Sequence, residues 1–351
     1  MTPRRAQKAA DSRALHPGAR RRWLALALAL PLSLISASTL ISGCASGSSI
    51  GAASERGAAR EQADAGRQGS WTRPTADARI GRYTSSPWGF STASYWIEGP
   101  EGVVLVDTQF LPSATRELIE IAERETQKRV VLAIVLHANP DKFNGTATLQ
   151  ERGVRVITSR QVLELIPEVH EKRVKAFYER YEPDYPERLP EPESFGDRGQ
   201  RIAAAGLELE LHVVGAGCSE AHVLLEFEGH LFAGDLVASG VHSWLEIGET
   251  DAWLARVDEM EALSPRYVHP GRGASGGAEL LAAQREYLRE VIAAVAEERP
   301  RGPVDTAALT RVESRLRARY PDHGFPVFLK LGLPAEWRRQ AAAAGERESS
   351  S

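Results

Sequence analysis

From Ala78 to about residue 298 the chain alternates short apolar runs with amphipathic helical stretches, in two similar halves. In the first half, 91–98 and 102–107 read as strands joined by the turn Gly99-Pro100-Glu101. The run Val103-Val104-Leu105-Val106 has no polar face, so it reads as a buried strand, ending at Asp107. Residues 113–126 have helical spacing, with Leu118, Ile119 and Ala122 on one face and Ser113 as cap. A second buried strand, 130–136, runs directly into His137-Ala138-Asn139-Pro140-Asp141. A short helix over 144–152, a strand at 154–157 and a long helix over 160–180 follow. Proline density over 182–193 excludes a regular element there.

The second half predicts strands at 207–214, 222–228 and 230–234, a helix over 251–262, a short strand ending at His269 and a helix over 277–298. Two helical stretches lie between 304 and 342, around Tyr320-Pro321. Such alternation implies an α/β fold, two sheets face to face with helices outside. At 42% apolar and 26% charged residues the chain supports a packed core. Two cysteines exclude a disulfide framework, and a net charge of -4 gives no electrostatic case for nucleic acid.

The N-terminus is built differently. Arg4, Arg5, Lys8 and the run Arg20-Arg21-Arg22 precede an apolar stretch from Trp23 to Ile41. That order of basic, apolar and small residues is the plan of a secretory signal. Leu40-Ile41-Ser42-Gly43-Cys44 resembles a bacterial lipobox, which implies removal of 1–43 and lipidation of Cys44. The alternative is an uncleaved membrane anchor, since the apolar run nearly spans a bilayer. Either way the expected location is the cell envelope, with the folded part facing the periplasm or exterior and held to a membrane. Residues 44–72, rich in Ala, Gly and Ser, read as a flexible tether, 73–300 as the folded domain and 301–351 as a helical extension. Phe325, Val327, Phe328 and Leu331 are its expected anchors, and the tail from Ala341 reads as disordered.

The stretch 78–295 resembles metallo-β-lactamase-fold hydrolases, an αββα sandwich, through five landmarks in order. These are Asp107 ending its strand, the loop His137-Ala138-Asn139-Pro140-Asp141-Lys142, the loop Gly217-Cys218-Ser219, the strand end Gly234-Asp235, and His269-Pro270-Gly271-Arg272-Gly273. The resemblance implies two zinc ions, one on three histidines and one on an Asp and two histidines, activating a hydroxide. Here Asn139, Lys142, Cys218 and Arg272 stand where those histidines usually do.

A guanidinium cannot deprotonate to bind metal, and its fork pairs carboxylates instead. The expectation is therefore no second ion, its place taken by an ion-pair cluster of Asp141, Lys142, Asp235 and Arg272. For the first ion, His137, Cys218 and Asp235 are the expected ligands, giving at most one zinc with an open position. Asn139 would hydrogen-bond a bound water, and Lys142 or Arg272 would stabilise a developing oxyanion. Such a site would hydrolyse an ester, amide or lactam bond of a small molecule. The competing expectation is a metal-free protein that binds a ligand or partner, such as an anion drawn to Lys142 and Arg272. A third makes Cys218 a nucleophile with His222 or His137 as base. His242 and His269 are further candidates by their closeness in sequence to Asp235 and Arg272. His170, His212 and His230 read as surface or packing residues.

Overall fold

The computed structural model describes residues 67–349, with side chains to 346; the expected signal, Cys44 and most of the tether lie outside the described residues. Seven strands form the first sheet in chain order: β1 (Ser70–Thr72), β2 (Ile80–Thr84), β3 (Ala93–Gly99), β4 (Gly102–Val106), β5 (Val130–Ile134), β6 (Arg155–Thr158) and β7 (Glu193–Ser194). Pairing is antiparallel from β1 to β4 and parallel from β4 to β7. The second sheet has the order β12 (Tyr267–Arg272), β11 (His230–Ala238), β10 (His222–Phe227), β9 (Leu207–Val214) and β8 (Gln200–Ala204). The helices are α1 (Pro112–Thr126), α2 (Pro140–Phe143), α3 (Thr146–Gln150), α4 (Arg160–Tyr181), α5 (Thr250–Ala262), α6 (Glu279–Glu297), α7 (Thr306–Arg319) and α8 (Val327–Ser349).

Burial follows the sequence pattern. Every residue of β4 is buried because α1 covers one face of its sheet and the second sheet the other. In β9, Leu207, Leu209 and Leu211 point inward while Glu208 and Glu210 face solvent, the period of two expected of a half-covered strand. Between the sheets Tyr95 of β3 meets Phe232 of β11 at 5.4 Å, within one core that draws on both sheets. A second core lies under α5, α6 and the C-terminal helices. The result is the αββα sandwich. Among the described residues no helix is long and apolar enough to cross a membrane.

Several boundaries move. β1 starts inside the expected tether, because Ser70–Thr72 pairs with β2 and Trp71 packs on Trp96 at 5.6 Å. Leu111, not Ser113, is the N-cap of α1; Pro112 supplies its first turn, and the Ser113 hydroxyl and backbone N–H turn to Asp184. The helix expected over 144–152 is the shorter α3, Thr146–Gln150, and a separate turn of helix, α2, precedes it at Pro140–Phe143. The strand expected to end at residue 234 continues to Ala238, and the one expected to end at His269 continues to Arg272. α8 reaches Ser349 where sequence suggested disorder, with Ala344 buried against the domain. His170 is also buried, its Nε2 3.0 Å from the carbonyl of Glu187.

Candidate metal centre and ion-pair cluster

The chain segment leaving β5 and the start of β10 meet at one end of the sandwich. The N–H of Val223 donates to the carbonyl of Leu136 at 2.7 Å, and His137 pairs with His222 in an antiparallel bridge. That bridge decides what alternation alone left open: which face of β10 carries His222. It places the His222 ring 5.2 Å from the His137 ring.

Cys218, in the turn before β10, completes a compact group. Donor atoms of His137, Cys218 and His222 all lie within 4.8 Å of one another, and all three residues are buried. The Cys218 sulfur is 3.2 Å from Nε2 of His222. On the far side of that ring, Nδ1 lies 2.9 Å from the carbonyl of Gly215 and must donate to it, since a carbonyl only accepts. Nε2 is thereby left as the acceptor on the side of the sulfur, where it takes the Ser219 N–H at 3.3 Å. Metal-binding histidines characteristically hold their other N–H on such a carbonyl. Nδ1 of His137 has no hydrogen-bond partner among the described residues, and Nε2 lies 3.3 Å from the Asn139 amide. Burial lowers the imidazoles to about 4 for His137 and about 3 for His222, and pushes the Cys218 thiol well above its ordinary value.

Beside this group sits a charged one. α2 opens with Pro140 and carries Asp141 and Lys142 into the interior, where Lys142 is fully buried. Its Nζ stands 2.9 Å from Asp235 Oδ1, 3.2 Å from Asp141 Oδ2 and 3.7 Å from Asp107 Oδ2. Arg272 bridges the same two carboxylates, with NH2 2.7 Å from Asp141 and NH1 on Asp235. Thr92 adds a hydrogen bond of 3.2 Å to Asp141. Burial by itself would raise the Asp141 and Asp235 carboxyls, but the Lys142 and Arg272 charges hold both below the carboxylate range. Asp107 gets less help, and burial takes it to about 7.

Backbone geometry serves this cluster. Asp107 and Gln109 hold left-handed φ values of 63° and 80°, and the Asp107 carboxylate accepts the N–H of Leu136 at 2.9 Å. Such conformations in non-glycine residues are costly and gather at functional sites. Gly271 must be a glycine: a Cβ there would stand 1.9 Å from Asp235 Oδ1. Gly271→Ala is therefore expected to destabilise the protein by roughly 1–3 kcal/mol, read as a shift in urea midpoint at constant slope. An unchanged midpoint would show that the carboxylate is not confined there.

The structure thus puts Asn139, Asp141, Lys142, Asp235 and Arg272 around the His137–Cys218–His222 group. Asp235 belongs to the charged side: its Oδ2 is 3.7 Å from His137 Nε2, but both its oxygens face cations. Lys142 and Arg272, the cations expected to draw an anion in the metal-free reading, both face the carboxylates of Asp141 and Asp235. His242 and His269 lie elsewhere. His242 bonds Tyr287 at 3.0 Å, and His269 spans His230 and Ser275 at 2.9 Å each, stacked on Phe232 between the sheets. Thr92 had no sequence signal, because it arrives from the first sheet.

Residues 87–272, just over half the chain, match the family model described as the metallo-beta-lactamase superfamily. The chain belongs to that superfamily. Over 65 residues this superfamily member is 40% identical to a metallo-beta-lactamase type 2 of Bacillus cereus, 18% of this chain and 25% of that one. It therefore spans about a quarter of that relative's length. Identity to the metallo-beta-lactamase type 2 of Bacteroides fragilis is 24% over 195 residues, 54% of this chain and 71% of that protein. A metallo-beta-lactamase structure from Pontibacter korlensis superposes with a TM-score of 0.50 at 19% identity, covering 63% of this chain and 99% of that one, a likeness of fold.

Proposed function

We propose that this superfamily member is a hydrolase with one zinc ion, held by His137, Cys218 and His222 and acting on an ester, amide or lactam bond of a small molecule. The observation that carries this is the convergence of three buried donors within 4.8 Å. Two imidazoles and a thiolate are a zinc donor set, and three protein ligands leave a fourth position for water or substrate. Bound there, the ion supplies Lewis acidity and a water acidified toward neutral pH. His222 takes the place that sequence reasoning gave to Asp235, because Asp235 is committed to Lys142 and Arg272.

The chain's own groups do the rest. The Gly215 carbonyl fixes the His222 ring. Lys142 and Arg272 supply, as fixed charge, the neutralisation a second ion would give Asp141 and Asp235, and the donor set on that side does not fit a metal. Asp141, Lys142 and Arg272 are accordingly positioning residues. Asn139, whose side-chain amide lies 3.3 Å from His137 Nε2, would hydrogen-bond a water brought by the ion. Lipidation at Cys44, read from the sequence, would hold the domain at a membrane of the cell envelope.

The test is zinc content of the full chain purified from zinc-supplemented medium, beside Cys218→Ser and His222→Gln. About one zinc per chain is expected, lost in both variants. No zinc in the unaltered protein sinks the hydrolase and favours the second reading, a metal-free protein that binds a ligand or partner. The observation behind that reading is the burial of the whole group, which leaves Asn139 at 9% exposure and His137 at 0%.

A further inference from the structure

Past Arg272, the turn that follows β12 reads Gly273-Ala274-Ser275-Gly276-Gly277 before α6 opens at Glu279. A serine flanked in this way by glycines, at a strand-to-helix turn, is the context in which a serine hydroxyl is presented as a nucleophile. Here the chain folds back on its own strand. Val268 and Gly276 exchange both backbone hydrogen bonds, at 2.8 and 3.1 Å, so the next pair, His269 and Ser275, stand side chain to side chain. Gly273 makes the reversal at φ 88°, where a Cβ would stand 1.8 Å from the Ser239 carbonyl oxygen.

From Ser275 a line of hydrogen-bonding groups runs inward. Ser275 Oγ is 2.9 Å from Nδ1 of His269, and Nε2 of His269 is 2.9 Å from Nδ1 of His230. Nε2 of His230 faces Asp77 Oδ2 at 3.5 Å. Asp77 sets the protons along this line. The Arg79 hydrogen bond holds its carboxyl at about 2, so it is charged and only accepts. His230 therefore carries its proton on Nε2 and accepts at Nδ1. His269 must then donate from Nε2, which leaves the lone pair on its Nδ1 for the Ser275 hydroxyl. Burial lowers both imidazoles and keeps them neutral. His269 is fully buried, whereas Ser275 is half-buried beside exposed Ala274, so the line reaches solvent at the serine. Arg82 of β2 is held at the same turn. Its Nη1 donates to the Gly273 carbonyl at 2.7 Å, and its Nε is buried with no hydrogen-bond partner among the described residues.

We propose that Ser275, His269, His230 and Asp77 form a second nucleophilic centre, independent of the donor triad, which takes small carboxylic esters through an acyl-Ser275 intermediate. Ser275 Oγ bonds to the ester carbonyl carbon while its proton passes to Nδ1 of His269. The imidazolium so formed keeps its Nε2–H on His230, in a line anchored by the Asp77 charge. Its Nδ1 proton goes to the alkoxide as the C–O bond breaks, and the alcohol leaves. Water, giving its proton to His269, then attacks the acyl group, frees the acid and restores the serine. The N–H of Gly276, which follows the nucleophile, is committed to Val268, leaving Arg82 to meet the oxyanion charge. Ser275 and His269 are the catalytic residues, and His230 and Asp77 position the ring.

The test exposes the full chain, treated with EDTA, to a fluorophosphonate, which forms an O–P bond to an activated serine and releases fluoride. Peptide mass spectrometry locates the adduct. An adduct on Ser275 is expected, formed about tenfold faster or more in the native chain than in urea, where the serine has no neighbours. His269→Gln should lower the native rate by about tenfold or more. No adduct on native Ser275, or a native rate no greater than that in urea, overturns the proposal. A folded His269→Gln labelled as fast as wild type does the same. If that variant fails to fold, the ratio of native to urea rates decides alone. For His230 and Asp77 the readout is the ring tautomer. Nitrogen-15 spectra should show His269 and His230 both protonated at Nε2, with His269 moving toward the Nδ1–H form in Asp77→Asn. His269 protonated at Nδ1 in the wild type overturns the relay. None of these readouts uses zinc, so the zinc reading and the serine centre fail separately.

Discussion

Lys142→Met is expected to destabilise the fold by roughly 3–5 kcal/mol, the range for removing one partner of a buried ion pair. Lys142 is fully buried and faces Asp141, Asp235 and Asp107. Met keeps much of the apolar stem but leaves the carboxylates with Arg272 alone, so buried charge goes uncompensated. Neutralising the freed charge should recover part of the loss. Lys142→Met combined with Asp235→Asn should thus cost less than the sum of the two single changes, by about 0.5–3 kcal/mol. Urea unfolding of the four proteins measures this. A loss below about 1 kcal/mol for Lys142→Met would mean that the cluster is not held together by its charges.

Arg272→His is expected to raise zinc content by about one ion per chain, because it restores a donor that can deprotonate. The guanidinium now spans Asp141, at 2.7 Å, and Asp235. An imidazole in its place would leave two carboxylates and a nitrogen around one space, an N/O set acceptable to zinc. Arg272→Ala is the control: it removes the same pairing without adding a ligand, so stability should fall while the metal count stays fixed. Zinc content unchanged in Arg272→His would show that Lys142 alone is enough to exclude the second ion.

Much of the architecture is local in origin. Apolar runs such as Val103–Val106 have no polar face to give to water, and Leu207, Leu209 and Leu211 alternate with glutamates, so burial of these strands follows from composition. The order of the five landmarks likewise needs only the linear chain. Element ends were less legible. Ser113 has the chemistry of a cap, yet Pro112 and the distant Asp184 decide where α1 begins.

The site divides along the same line. Residue type alone said that the Arg272 guanidinium could not ligate a second ion, since it does not deprotonate, whereas Lys142 is kept charged by Asp141, Asp235 and Asp107 against the effect of burial. Which donors gather around Cys218 was not written there. Asp235 and His222 were both within sequence reach of Cys218, and the choice depends on the Leu136–Val223 pairing that joins the two sheets, and on Arg272 arriving from β12 to claim Asp235. The contacts that link Phe328, Trp244 and Glu246 to α4 are set at longer range still. The sequence by itself determined the sandwich and its landmarks, because periodicity and side-chain chemistry are local properties. Only the tertiary structure decided the convergence of the three donors and the pairing of the charges, because each depends on side chains that meet only when the sheets and helices pack.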